Sequence, residues 1–131
     1  MTNYRRGYEQ ERRIKTLLEE KGFYVQRAGA SKGPVDLIAI PTVETFNSLL
    51  GANHALSTVL ILQVKSTHDK SFNPNRPSFL KTVEDFIEMT SEFMTDEVKG
   101  VLAYVHIYKR KVRVHFFVWN NLIGEFEEVA L

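Results

Sequence analysis

Two short stretches of this 131-residue chain hold the residues best placed to do chemistry: GPVDLIAIP at positions 33–41, with Asp36, and VLILQVKST at 59–67, with Lys65. Both are otherwise apolar and read as buried strands, where a charge costs several kcal/mol unless it is partnered. A divalent cation at the strand end relieves that cost, because carboxylates and amide-type oxygens are the hard ligands that Mg²⁺ prefers. On neighbouring strands Asp36 and Gln63 can face one ion. Lys65, two residues past Gln63, then points to the same side of the sheet, because strand side chains alternate. An ion that polarises a phosphate and lowers the pKa of water, with an ammonium beside it, suits phosphodiester hydrolysis. The pattern of Asp, a gap, Gln, any residue and Lys also recurs by chance, and a strand-end Asp or Lys in a surface ion pair is the commoner case. Three features sharpen it here: the apolar flanks on both strands, the basic loop AGASKGP (28–34) before Asp36, and Glu11 on the inward face of the first helix.

Elements that must position these residues are legible around them. Tyr4 to Lys21 lacks proline, is rich in helix formers and sets Glu11, Ile14, Leu17 and Leu18 on one face before Gly22 stops it. FYVQR (23–27) reads as a strand. VDLIAI (35–40) and TVLILQVKS (58–66) are continuous apolar runs, as expected of central strands covered on both faces. The segment 41–57 between them reads as an insertion with a short helix around Val43 to Leu50. FLKTVEDFIEMTSEFM places Leu80, Val83, Phe86, Ile87 and Met94 at helical spacing, a stripe that core packing explains. KGVLAYVHIYKRKVRVHFFVW (99–119) reads as two strands joined by a tight basic turn near Lys109 to Lys111. The expected architecture is α/β, in the order α-β-β-β-α-β-β.

Composition bounds the function. The length suits one domain over 1–131 with one core. No apolar run approaches the roughly 20 residues that cross a bilayer, and the start MTNYRRGYEQERR is charged where a secretion signal needs apolar residues, so a cytoplasmic protein without membrane contact is expected. With no cysteine, disulfides, thiolate zinc sites and a cysteine nucleophile are excluded. The four histidines show no metal-ligand spacing, and packing or exposure accounts for His106 and His115. Net charge is +1, yet residues 1–33 hold eight Lys/Arg against four acids and the remainder nine against twelve. This front-loaded charge permits a polyanion-binding surface, although a solvated basic helix is the plainer reading. Arg5, Arg6, Arg12, Arg13, Arg27 and Lys32 lie before or beside the candidate metal site, where they can contact phosphates. No base-reading motif accompanies them, which favours recognition of DNA structure over DNA sequence.

At this point the chain resembles the archaeal-type Holliday junction resolvases of the PD-(D/E)xK nuclease superfamily. The stretch YRRGYEQERRIKTLLEEKGFYVQRAGASKGPVDLIA looks like the family's basic opening, Glu-Arg helix, GF turn, arginine strand and Ser-containing loop before the acidic strand, and the likeness resumes at LQVKST. The resemblance implies a restriction-endonuclease-like mixed central sheet flanked by helices. It implies Glu11 and Asp36 as acidic metal ligands, Gln63 at the second motif carboxylate position and Lys65 as the motif lysine. Arg12, Arg27 and Ser31 fall where the family has residues that contact or position the phosphate backbone. Mg²⁺ is the expected cofactor, with Mn²⁺ as an alternative, and a homodimer on four-way DNA junctions the expected assembly. Two departures stand out: Gln63 replaces the usual glutamate and removes a charge, and 41–57 replaces a short connection. Other DNA substrates (repair, restriction or viral) and a non-catalytic DNA-binding module are the competing readings.

Overall fold

The computed structural model describes residues 3–28, 35–52, 58–95, 97–120 and 123–129, and leaves aside the side chains of 3–6 and 48–52. Helix α1 (Asn3–Glu20) turns a stripe of Gln10, Ile14 and Leu18 inward, at the spacing expected of one helical face. Gly22 ends it with φ 95°, and a Cβ at this position would collide with Thr45 Oγ1, so only glycine fits the turn. Strands β1 (Phe23–Arg27) and β2 (Leu37–Pro41) follow. Helix α2 (Val43–Ala52) begins at Thr42, whose Oγ1 accepts the Thr45 N–H at 3.2 Å, while the Thr42 N–H donates to Gly22 O at 3.1 Å.

Strands β3 (Val59–Thr67), β4 (Val98–Tyr108), β5 (Lys111–Asn120) and β6 (Glu125–Val129) complete a six-stranded sheet in chain order. Every neighbouring pair is antiparallel except β3 and β4, which are parallel. Parallel neighbours need a long crossover, and helix α3 (Pro77–Thr90) lies within it. One face packs on α1 through Ile14, Leu18, Leu37, Leu60, Leu62 and Val101; the other packs on α3 through Phe79, Phe86, Leu102, Tyr104 and Phe117. Alternation then assigns the motif residues. Leu62 and Val64 face α1, whereas Gln63 and Lys65 share the α3 face with their register neighbours Leu102 and Tyr104.

The observed order adds to α-β-β-β-α-β-β the short helix expected around Val43 to Leu50, which is α2, and one strand that was not expected, β6. The 41–57 segment carries a capped helix, with 53–57 outside the described residues. Strand β2 starts at Leu37 rather than Val35, and it is covered on one face only: Ile38 and Ile40 are 36% and 43% exposed. The α3 stripe is rotated from its expected face. Phe79, Phe86 and Thr90 are buried and Leu80 is 48% exposed, because residues seven apart in the helix, Phe79 and Phe86, face the sheet together. The helix ends at Thr90, before Met94.

The β4–β5 hairpin turns on Lys109 and Arg110, with φ of 48° and 67°, the left-handed pair that a two-residue turn demands and that Asn-Gly accepts most easily. Left-handed backbone costs an ordinary residue about 1 kcal/mol. Lys109→Asn with Arg110→Gly is therefore expected to stabilise the protein by about 1 kcal/mol. Urea denaturation checks it, and a lower midpoint for the double variant would refute the turn geometry.

Candidate functional site

The site forms where β1 ends, β2 begins and β3 approaches its end. The β1–β2 ladder runs one step past Arg27, with the Ala28 N–H donating to Asp36 O at 3.0 Å. The β2–β3 ladder slips at the same residue. Leu37 stands opposite Leu62, yet the Asp36 N–H also donates to Leu62 O, at 2.8 Å, and Asp36 Oδ2 accepts the Val64 N–H at 2.8 Å. The carboxylate thus takes the place of a strand carbonyl at the point where β2 leaves its partner. Together the two bonds bracket Gln63, which is half-buried and makes no side-chain hydrogen bond to another described residue.

Glu11 arrives from α1, one turn before the buried Ile14. Its Oε2 lies 3.6 Å from an Arg27 guanidinium nitrogen, and Arg27 Cζ sits 4.6 Å from the centre of the Tyr8 ring, so α1 grips the end of β1 by an ion pair and a cation–π contact. Arg27 Nε is buried without a hydrogen-bond partner. Neither Tyr8 nor the Val64 N–H was anticipated from sequence. Tyr8 had a signal, since it lies three residues before Glu11 on the same helix side, but the backbone donor has none.

Both carboxyls are held above their ordinary range. Burial is the main cause for Asp36, opposed by the Val64 N–H and by the charges of Lys65 and Arg27. Burial also raises Glu11, reinforced by the negative charge of Asp36 and opposed by Arg27. Asp36 therefore lies within electrostatic reach of Glu11 and Arg27 on one side and Lys65 on the other. Two half-buried carboxylates, the charge of Asp36 raising Glu11, with a Gln63 amide that has no partner among the described residues between the backbone partners of Asp36, make a donor set that fits a hard divalent cation. Among the described residues no three His, Asp or Glu side chains cluster.

The remaining candidates divide. Arg12 is exposed and has no partner among the described residues, leaving it free for a phosphate; Arg27 instead is committed to Glu11 and Tyr8. The side chains of Arg5 and Arg6 and the whole of Ser31 and Lys32 lie outside the described residues. His106 and His115 are structural: His106 Nε2 meets Asp69 O at 2.7 Å, and His115 Nδ1 meets Glu128 at 3.2 Å.

The raised carboxyl values fix the sign of a pH effect. In the metal-free fold these groups hold protons more tightly than in the unfolded chain, so their ionisation destabilises the fold as pH rises from the ordinary carboxylate range through the raised values. A bound cation competes with those protons. Divalent-ion affinity is expected to fall with decreasing pH, beginning above the ordinary carboxylate range of about pH 4. Calorimetric titration with Mn²⁺ across pH checks this, and an affinity that stays flat down to that range would contradict it.

Three comparisons bear on this arrangement. The family model for the archaeal Holliday junction resolvase (Hjc) matches residues 2–125. Among solved structures, the chain is similar to that of Archaeoglobus fulgidus Hjc, a Holliday junction resolvase from an archaeal hyperthermophile, at 16% identity and a TM-score of 0.46, over 85% of this chain and 70% of that one. A search of curated proteins finds no match.

Proposed function

Because the chain belongs to the archaeal Holliday junction resolvase family, nucleases of restriction-endonuclease-like α/β fold that cut branched DNA, we propose that it resolves four-way junctions with Mg²⁺ at a site made by Glu11, Asp36, Gln63 and Lys65. The observation that carries this reading is the Asp36 carboxyl, fixed by the Val64 N–H beside Gln63 and within electrostatic reach of both Glu11 and Lys65.

The family implies a divalent metal ion, and here Asp36, Glu11 and the Gln63 amide oxygen would hold it, directly or through water. When bound, the ion supplies Lewis-acid polarisation of the scissile phosphate and eases deprotonation of the attacking water. The protein's own groups do the rest. The Lys65 ammonium offsets the negative charge that builds on the phosphate, or orients the water. Arg27 keeps Glu11 in place and limits repulsion between the two acids, and Arg12 offers an exposed guanidinium to the DNA backbone.

A homodimer is the assembly that fits a reaction needing two related cuts, since two copies of one site related by a two-fold axis place them naturally. Apolar surface for such contact is present on β1 and β2, where Tyr24, Ile38 and Ile40 are 61%, 36% and 43% exposed on one face. Among the described residues no helix is long and apolar enough to cross a membrane, and a DNA-cutting role fits the cytoplasm. Matched substrates test the proposal. A four-way junction is expected to be cut far faster than a flap or linear duplex of the same sequence, and equal cutting of linear duplex would refute junction selectivity.

A further inference from the structure

The sheet face that carries Lys65 continues into a basic groove that cleavage itself leaves unused. Cross-strand register sets side chains in rows: Lys65 beside Tyr104 and Tyr104 beside His115, then Thr67 beside His106 and His106 beside Arg113, then Tyr108 beside Lys111. Paired residues share a face, so these rows lie on the α3 side with Lys65. The outer rows and the loop after β3 enclose a groove of about 360 Å³, lined by Lys70, His106, Tyr108, Lys111 and Arg113 together with Phe72 and His115. The Phe72 and His115 rings stack with centroids 4.2 Å apart, which fixes the loop against β5.

Three permanent cations meet there. Lys70, Lys111 and Arg113 are exposed, and none has an ion pair or hydrogen bond among the described residues. Of the acids carried by the adjoining loop and strand, Asp69 pairs with Arg76, and Glu128 meets the lining residue His115 at the groove's edge. Three cations against that one carboxylate leave the groove net positive among the described residues, and its complement is an anion. Exposed cations spaced along a groove are what a DNA backbone meets, one phosphate to each charge, while the Phe72 and Tyr108 rings are held by His115 and Lys109 and shape its floor. Reach agrees. From Tyr104, beside Lys65, to Tyr108, beside Lys111, is four residues of β4, about 13 Å at roughly 3.3 Å per residue. That is a few phosphate spacings of one DNA strand.

We propose that Lys70, Lys111 and Arg113 form a groove for the phosphodiester backbone of a DNA arm, a few nucleotides from the bond cut near Lys65. The inference rests on the junction-nuclease reading. It makes arm capture and cleavage neighbours on one sheet face, with Lys111 and Arg113, alternate residues of β5, aiming two cations along one strand path.

The test is a triple variant, Lys70→Ala with Lys111→Ala and Arg113→Ala, none of which belongs to the cleavage site. Binding of a four-way junction is measured without divalent ions over a range of salt concentrations, and single-turnover cleavage at saturating protein with Mg²⁺. The expected result is junction affinity reduced by about tenfold or more, a plot of log affinity against log salt shallower by about three, and an unchanged cleavage rate once bound. Lys111→Ala alone should make the slope shallower by about one, and Lys111→Arg with Arg113→Lys should retain it. Wild-type affinity and slope in the triple variant, with the wild type cutting junctions, would overturn the groove assignment and leave the nuclease reading intact. A wild type that neither binds nor cuts junctions would overturn both. Displacement of the arm by millimolar deoxynucleoside monophosphate in the wild type would assign the groove to free nucleotides and overturn the backbone reading.

Discussion

Asp36→Asn is expected to lower junction cleavage by at least about 100-fold while leaving junction binding intact or tighter and the fold as stable as before or more so. These directions come from one geometry. The asparagine carbonyl oxygen can still accept the Val64 N–H that Asp36 Oδ2 takes at 2.8 Å, so the slip between β2 and β3 keeps its bond. Burial opposes the charged Asp36, whose charge in turn raises Glu11, and removing that charge relieves both. What is lost is the anionic ligand, the one property a divalent cation needs most from this position. A substitution that stabilises the apo protein and abolishes its chemistry marks a residue kept for function rather than for folding. Cleavage time courses, filter binding and thermal melting read the three effects separately. A variant that unfolds would show that Asp36 serves chiefly as a strand-end staple, and one that cuts normally would remove it from the reaction.

Gln63→Glu is the second large effect, and its sign depends on the ion. Asp36 bonds on both sides of Gln63, to Leu62 O and from the Val64 N–H, so a glutamate there brings a third carboxylate beside two that burial already holds above their ordinary range. Without divalent ions the variant is expected to melt below wild type at neutral pH. With them it should gain about tenfold or more in Mg²⁺ affinity, since ligand charge sets affinity at oxygen sites, and cut faster when Mg²⁺ is limiting. Melting temperature with and without Mg²⁺, together with turnover against Mg²⁺ concentration, checks it. If both forms bind junctions tightly and neither cuts, the chain is a DNA-binding module and the amide at 63 is not what silences it.

How much of this was legible in the sequence follows from which interactions are local. β1 and the β4–β5 hairpin matched their segments because β-branched and aromatic runs bounded by turns declare strands without outside help. β6, EFEEV, did not declare itself. It sits at the sheet edge with its glutamates exposed, and its strand character comes from pairing with β5, which its own residues do not encode. Asp36, Gln63 and Lys65 were visible as polar residues in apolar runs, and their neighbourhood follows from the β2–β3 and β3–β4 registers. The Arg27–Glu11 pair, its contact with Tyr8 and the ladder slip at Asp36 were not. Each depends on α1 crossing the end of β1 or on a backbone donor that no sequence pattern reports. The same holds for the basic groove. Lys111, Arg113 and His115 alternate along one strand face in the sequence, but Lys70 joins them only because Phe72 stacks on His115 and holds the loop there.

The central claim is that Glu11, Asp36 and Gln63 gather around one divalent ion with Lys65 beside it. Anomalous scattering from crystals grown with Mn²⁺ tests that most directly. The account predicts a single strong peak in contact with Asp36 and shared, directly or through water, with Glu11 and Gln63, with the Lys65 ammonium next to it. Bound Mn²⁺ at other acids with none at Asp36, or a peak at Asp36 from which both Glu11 and Gln63 turn away, would contradict it.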